Sequence, residues 1–411
     1  MNKMAKSILT EDTAVKLGTA SNRSSILQLS ATFVVGFLCI YIRSFFSMTS
    51  LLVLPELLDD GLLLLGSIFL LFHVLFHSKE YGKRIIPLLL IIIACAYAYL
   101  ASGETIPLTV TLCIIAAATA GNVRDIAKLW FAVTAMSVAY LVVVSGITAI
   151  LEPDRLSYSY RYAGGTARFS FFFSHPNMFA AIVMMMCGIY MYLRYEWLRF
   201  SSFVVLALIA AATFLFTDSR TSFTLTLLEI ICFAVQRERG LFSGRWVTHF
   251  VGVMPILLFV LVYLISGPLY RDSLGSLLTG RVSLWHNCFV TQGITILGQQ
   301  FEPSRIVSST GWVSYFGTLD CVYASGLYVF GLVFSGFFCW CVFARTRRED
   351  SRLGIELPLI LVLLLFGVTE VHALNPVLCV PLLFLAGGIL PKESHHAWRP
   401  VLSNQAKSSR G

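Results

Sequence analysis

Four short stretches of the 411-residue chain hold side chains whose types and spacing suit chemistry on an anion. The first, RFSFFFSHPNMFA at 168–180, sets Arg168 seven residues before His175 and Pro176. Proline favours the first turn of a helix, and the free N–H groups and dipole of a helix start attract anions. Arg168 folding back over that start would complete an anion site. The second, TDSRTSF at 217–223, places Arg220 beside the cap-forming residues Thr217, Asp218 and Ser219. The third, LTGRVSLWHN, carries Arg281 and leads through GITILGQQFEPSR, with Arg305, to TLDCVYASG, with Asp320 and Tyr323. The fourth, TEVHALNP, sets Glu370 two residues before His372, a combination able to act as a general base. Each has a plainer reading: an aromatic belt with snorkelling arginines, a capped turn in which Asp218 pairs Arg220, a polar turn. Asp59 and Asp60 are adjacent rather than spaced to converge, so no metal and no other cofactor is expected.

These stretches interrupt a very apolar chain. Hydrophobic residues make up 57% and charged residues 13%, against about 25% charged in a soluble domain, and the mean hydropathy is +0.79. A water-soluble globule of this size could not bury so much apolar surface. A soluble enzyme, a nucleic-acid binder and a disordered scaffold are therefore excluded, despite a formal charge of +8. The expected class is an all-α integral membrane protein. A span takes about 20 apolar residues, and about twelve segments qualify: 29–48, 57–76, 85–101, 105–120, 127–150, 175–193, 198–217, 221–236, 247–267, 322–343, 356–373 and 375–391. A tail at 1–28, without the pattern of a cleavable signal, precedes this 29–391 membrane domain, and a second tail follows at 392–411. Eight of the ten cysteines lie in apolar runs, as small hydrophobes do. Cys288 and Cys321 fall in a polar segment, where either a bridge or two free thiols would fit.

Basic residues set the orientation. With both termini in the cytoplasm, only eight of the 30 lysines and arginines face outward, and all eight are arginine: Arg43, Arg155, Arg161, Arg168, Arg220, Arg271, Arg281 and Arg305. Chance and translocation bias explain that set; so does a need for planar, permanently charged donors to phosphate. On this topology the four stretches face outward, and the long exterior loops are 151–174 and 268–321. Residues 198–236 make two crossings, which holds Arg220 near the membrane boundary, where a charge is costly and its presence suggests function. Glu229 falls mid-span, where a buried carboxylate fits as well as a proton-coupling group.

The ordered set of 168–180, ThrAspSerArgThrSer (217–222), ThrGlyArg…Trp (279–285), GlyIleThrIleLeuGly (293–298) and LeuAspCysValTyr (319–323) resembles Wzy-type polysaccharide polymerases. These share a superfamily of GT-C-like membrane glycosyltransferases with the O-antigen ligases. The likeness covers about residues 160–340 and is greatest to polymerases of exopolysaccharide and capsule clusters. It implies a bacterial cytoplasmic-membrane enzyme that transfers a growing glycan from undecaprenyl pyrophosphate to the next lipid-linked repeat unit. Its partners would be lipid-linked donor and acceptor, membrane lipid, a flippase and a chain-length regulator. Arg168, Arg220 and Arg281, with Arg305 and Tyr323, would bind the pyrophosphate. His372 is the nearest counterpart of the ligase histidine and so a candidate base, with His175 and Asp320 as alternatives. A ligase of the same superfamily and a multi-span transporter are the competing readings.

Overall fold

The computed structural model describes residues 29–51, 53–152, 158–160, 167–271, 273, 280–301, 304–307, 313–316, 319–348 and 352–391. The chain is built of helices, with two small antiparallel hairpins, and it has apolar helices of membrane-spanning length. In chain order the long elements are α1 (Ala31–Ser47), α2 (Glu56–Phe76), α3 (Ile85–Ser102), α4 (Ile106–Ala120), α5 (Val123–Leu151), α6 (Pro176–Leu193), α7 (Phe200–Thr217), α8 (Arg220–Arg239) and α9 (Arg245–Ser266). They are followed by α10 (Arg281–Thr291), a short α11 (Val322–Ser325), α12 (Leu332–Thr346) and α13 (Leu353–Thr369). Strands β1 (Tyr158–Tyr160) and β2 (Ala167–Phe169) pair with Ser159 opposite Arg168. Strands β3 (Ser304–Val307) and β4 (Val313–Phe316) pair with Arg305 opposite Tyr315.

Among the described residues, six stretches are long and apolar enough to cross a membrane: Glu56–Phe76, Ser78–Ser102, Val123–Leu151, Pro176–Leu193, Phe200–Thr217 and Arg245–Ser266. Helices α1, α4, α12 and α13 are apolar but shorter. The first nine expected spans coincide with helices. The last three depart from the sequence reading for identifiable reasons.

The expected span 322–343 is broken. After α11 the chain widens into a π-helical turn over Gly326–Phe330, then stops at Gly331 in a left-handed conformation, φ +93°. The freed backbone groups are taken up by 293–299: Thr295 N–H donates to Leu327 O at 3.1 Å and Gln299 N–H to Val329 O at 3.0 Å. In return Leu332 N–H donates to Thr295 O and Val333 N–H to Ile296 O. The GITILG motif thus acts as a clamp on a broken helix, which satisfies groups that lipid could not.

The expected span 356–373 ends at Thr369, and 371–374 forms a separate 3-10 turn. The expected span 375–391 is not one helix. It runs through turns, a four-residue helix at Pro381–Phe384 and a 3-10 turn at Leu385–Gly388. Pro381 removes an N–H that a continuous helix over 375–391 would need. Irregular backbone at this depth is tolerated only when protein surrounds it, and Val377–Leu390 is buried throughout. Trp130 Nε1–H donates to Val377 O at 2.7 Å, and the Arg84 guanidinium donates to Ile389 O at 2.6 Å.

Ties between segments gather at both ends of the bundle. At one end Arg43 pairs Asp59 at 2.7 Å, and Ser50 and Ser174 exchange backbone bonds with Phe172 and Met48. At the other, Arg352 donates to Asn122, Arg124 to Leu193 O, and Arg345 pairs Glu356. Cys288 and Cys321 are both buried and unbridged, and the other eight cysteines are free as well.

Candidate functional site

One end of the bundle gathers the residues that the four stretches contribute. Helix α6 begins immediately after a tight approach in which Phe171 and Phe172 take positive φ, 50° and 61°, and Phe173 bridges to Thr49. That turn brings β2 against the start of α6. The buried Arg168 guanidinium then spans two elements. Its Nε donates to Thr217 O at the end of α7 (2.7 Å), and a terminal nitrogen donates to Asn177 Oδ1 (2.7 Å). The fold-back of Arg168 over the α6 start, expected from sequence, is present. His175 is the N-cap: its Nδ1 accepts from Asn177 N–H at 3.1 Å, so the neutral ring carries its proton on Nε2.

Asn177 continues the chain of contacts. Its Nδ2 donates to Glu370 Oε1 at 3.3 Å. The same oxygen lies 3.7 Å from a terminal nitrogen of Arg281, which is also 3.6 Å from Asp320 Oδ2. Five side chains from β2, α6, α10, the segment before α11 and the turn after α13 thus form one connected network. The two contacts of Arg281 exceed the roughly 2.7–2.9 Å of a charge-assisted hydrogen bond. Its donors are therefore uncommitted enough to take a ligand oxygen.

Arg281 owes its position to α10. Gly280 supplies the left-handed turn into that helix, φ +88°, and Trp285 and Cys288 bury its inner face. His286 Nδ1–H donates to Ser266 O at 2.7 Å while its ring stacks on Tyr270, which pins α10 to the end of α9. Arg281 is the first residue of α10, where the leading backbone N–H groups have no partner within the helix.

Burial of Glu370 pushes its carboxyl up to about 7, against the pull of Arg281 and with help from Asp320. Burial lowers His372, and Asp320 partly offsets this. A carboxylate tuned near neutrality beside a guanidinium is what proton abstraction next to a developing anion requires. Glu370 is joined to Arg281 and Asn177, whereas His372 lies two residues on in the 3-10 turn. Asp320 stands at the partly exposed edge, where it orients Arg281.

Two other expected ligands sit elsewhere. Tyr323 is fully buried, its hydroxyl committed to Leu364 O at 2.8 Å and its ring edge-on to Phe259. The side chain of Arg220 is 72% exposed, with Nε 3.8 Å from Asp218, outside the network at the tip of the α7–α8 turn. Arg305 lies in β3; Arg155 and Arg161 lie outside the described residues. Glu229 is wholly buried in α8, its two oxygens without a hydrogen-bond partner among the described residues. Sequence reasoning missed Asn177, the link between Arg168 and Glu370. The signal was present: in His-Pro-Asn the Asn falls in the first turn of a helix that Pro176 opens.

The chain matches no family model, no curated protein and no solved structure. The resemblance to the polymerase family accordingly rests on the ordered motifs.

Proposed function

We propose that the chain is a membrane glycosyltransferase that polymerises undecaprenyl-pyrophosphate-linked repeat units at the outer face of a bacterial cytoplasmic membrane. The observation that carries this reading is Arg281 held beside Glu370, a carboxyl raised to about 7, at the start of a helix. In the reaction, an acceptor sugar hydroxyl attacks the anomeric carbon of the donor glycan. The bond from that carbon to the pyrophosphate oxygen breaks, its electron pair stays on the pyrophosphate, and the hydroxyl proton passes to Glu370. Arg281 and the α10 start meet the charge that develops on the leaving group, which favours the transition state over the ground state. Arg168 and Asn177 hold Glu370 in place. An apolar groove between α1 and α5, lined by Tyr41, Phe45, Tyr140 and Leu141, ends at Thr49 beside the same turn and suits a prenyl chain.

The test is to size the lipid-linked and surface glycans in a host lacking the gene, complemented with wild type, Arg281→Ala or Glu370→Gln. A host without the enzyme should accumulate single lipid-linked repeat units, and both variants, correctly inserted, should fail to restore long polymer. Long chains left on the lipid carrier would point to a ligase instead. Full-length polymer from either variant would overturn the assignment of the site.

A further inference from the structure

The end of the bundle opposite this site holds a polar cavity. It has a volume of about 640 Å³ and lies where α9, α12 and α13 converge. Arg245 and His249 line it from the first turns of α9, Arg347 and Arg348 from the end of α12, and Ser243 and Thr248 add hydroxyls. No carboxylate is among its described lining residues; Glu349 and Asp350, next in the chain, lie outside the described residues. His249 Nδ1–H donates to Arg245 O at 2.6 Å, which leaves Nε2 as the ring's other hydrogen-bonding atom. Buried Arg348 forms part of the fixed wall, while Arg245 and Arg347 are exposed at the mouth. The Arg347 guanidinium lies 4.7 Å from the centre of the Phe343 ring, so its stem runs along apolar surface.

A second observation gives the level of the mouth. Trp246 and Phe250, one turn apart on α9, are 90% and 60% exposed and flank Arg245 and His249 in sequence. Exposed Trp and Phe beside arginines at the end of an apolar helix mark the boundary between lipid tails and headgroups. A soluble anion would need the basic cavity but not this aromatic rim.

We infer that this cavity binds the phosphate headgroup of an anionic membrane lipid, gripped by Arg245 and Arg347 against the wall formed by Arg348. Guanidinium forks suit phosphate oxygens, and basic pockets between membrane helices are a recurrent solution for anionic headgroups. The inference is independent of the glycosyltransferase reading.

The experiment uses the full chain, purified in neutral detergent, titrated separately with phosphatidylglycerol, phosphatidylcholine and inorganic phosphate, with bound lipid read by native mass spectrometry. Phosphatidylglycerol should bind roughly tenfold or more tightly than phosphatidylcholine, and Arg245→Ala/Arg347→Ala should remove that preference. The lysine pair should recover part of it, because lysine keeps the charge and loses the fork. Equal affinity for the two lipids, or an alanine pair that binds like wild type, would overturn the inference. Displacement of lipid by inorganic phosphate at matching concentration would overturn the lipid assignment in favour of a soluble phosphate. Should the alanine pair not fold, wild-type selectivity in the lysine pair would be the overturning result.

Discussion

Glu370 is the residue on which most of the proposed chemistry depends, and its protonation has a sign. As the base it must be a carboxylate, so activity should rise as pH passes through about 7 and level off above. Stability should move the other way. A carboxyl whose folded value is raised from 4.5 to about 7 stabilises the fold fully below 4.5 and loses that contribution as pH climbs through 7. Glu370→Gln should therefore cut turnover about a hundredfold or more while raising stability above pH 7 by about 2–3 kcal/mol. Turnover against pH and thermal melting of the same two proteins check both halves. At Arg281, lysine should retain only part of the activity: it keeps a point charge at the α10 start but cannot reach Asp320, Glu370 and a phosphate together. A steady-state comparison of Arg281→Lys with Arg281→Ala would show a graded loss. The individual arginines were legible in the sequence because a charge in so apolar a chain stands out. Asn177 was not, because a polar residue in a first helical turn is ordinary until Arg168 and Glu370 are seen on either side of it.

At the scale of elements, the breaks matter more than the helices. Apolar run length located the first nine helices, since a long apolar stretch with polar ends has few other solutions in lipid. The same signal could not show that 322–346 is interrupted, because Gly331 is one of 29 glycines and the clamp that makes its conformation necessary comes from 293–299. A side chain at Gly331 would lie 2.6 Å from Gly298 N and Ile296 O, and its φ is already left-handed. Gly331→Ala should destabilise the protein by about 2 kcal/mol or more. Gly82 is an internal control: φ is +54° with open space around it, so Gly82→Ala should cost only about 1 kcal/mol. Denaturation midpoints in detergent separate the two. The clamp also bears on the site, since it fixes the segment that runs from Asp320 into α11.

For the whole molecule, the two ends are built differently. At the site end Arg281 is loosely paired, 3.6 and 3.7 Å from its carboxylates, while Arg43–Asp59 and Arg168 make contacts of 2.7 Å. The opposite end has a buried pair in which Arg345 Nε and a terminal nitrogen both donate to Glu356 Oε2, at 2.9 and 2.6 Å. Glu356→Ala leaves a buried guanidinium without its counter-charge and should cost about 3–5 kcal/mol. That loss should appear as a lowered melting temperature in protein whose site chemistry is otherwise intact.

Val377–Leu390 follows every long helix among the described residues, yet it lies buried against α4, α12 and α13. It is synthesised after those helices, and it gives Trp130 and Arg84 their carbonyl partners. A chain stopped between α13 and Val377 should therefore lose both ties and the filling at the centre of the bundle, and its yield of folded protein in detergent should fall.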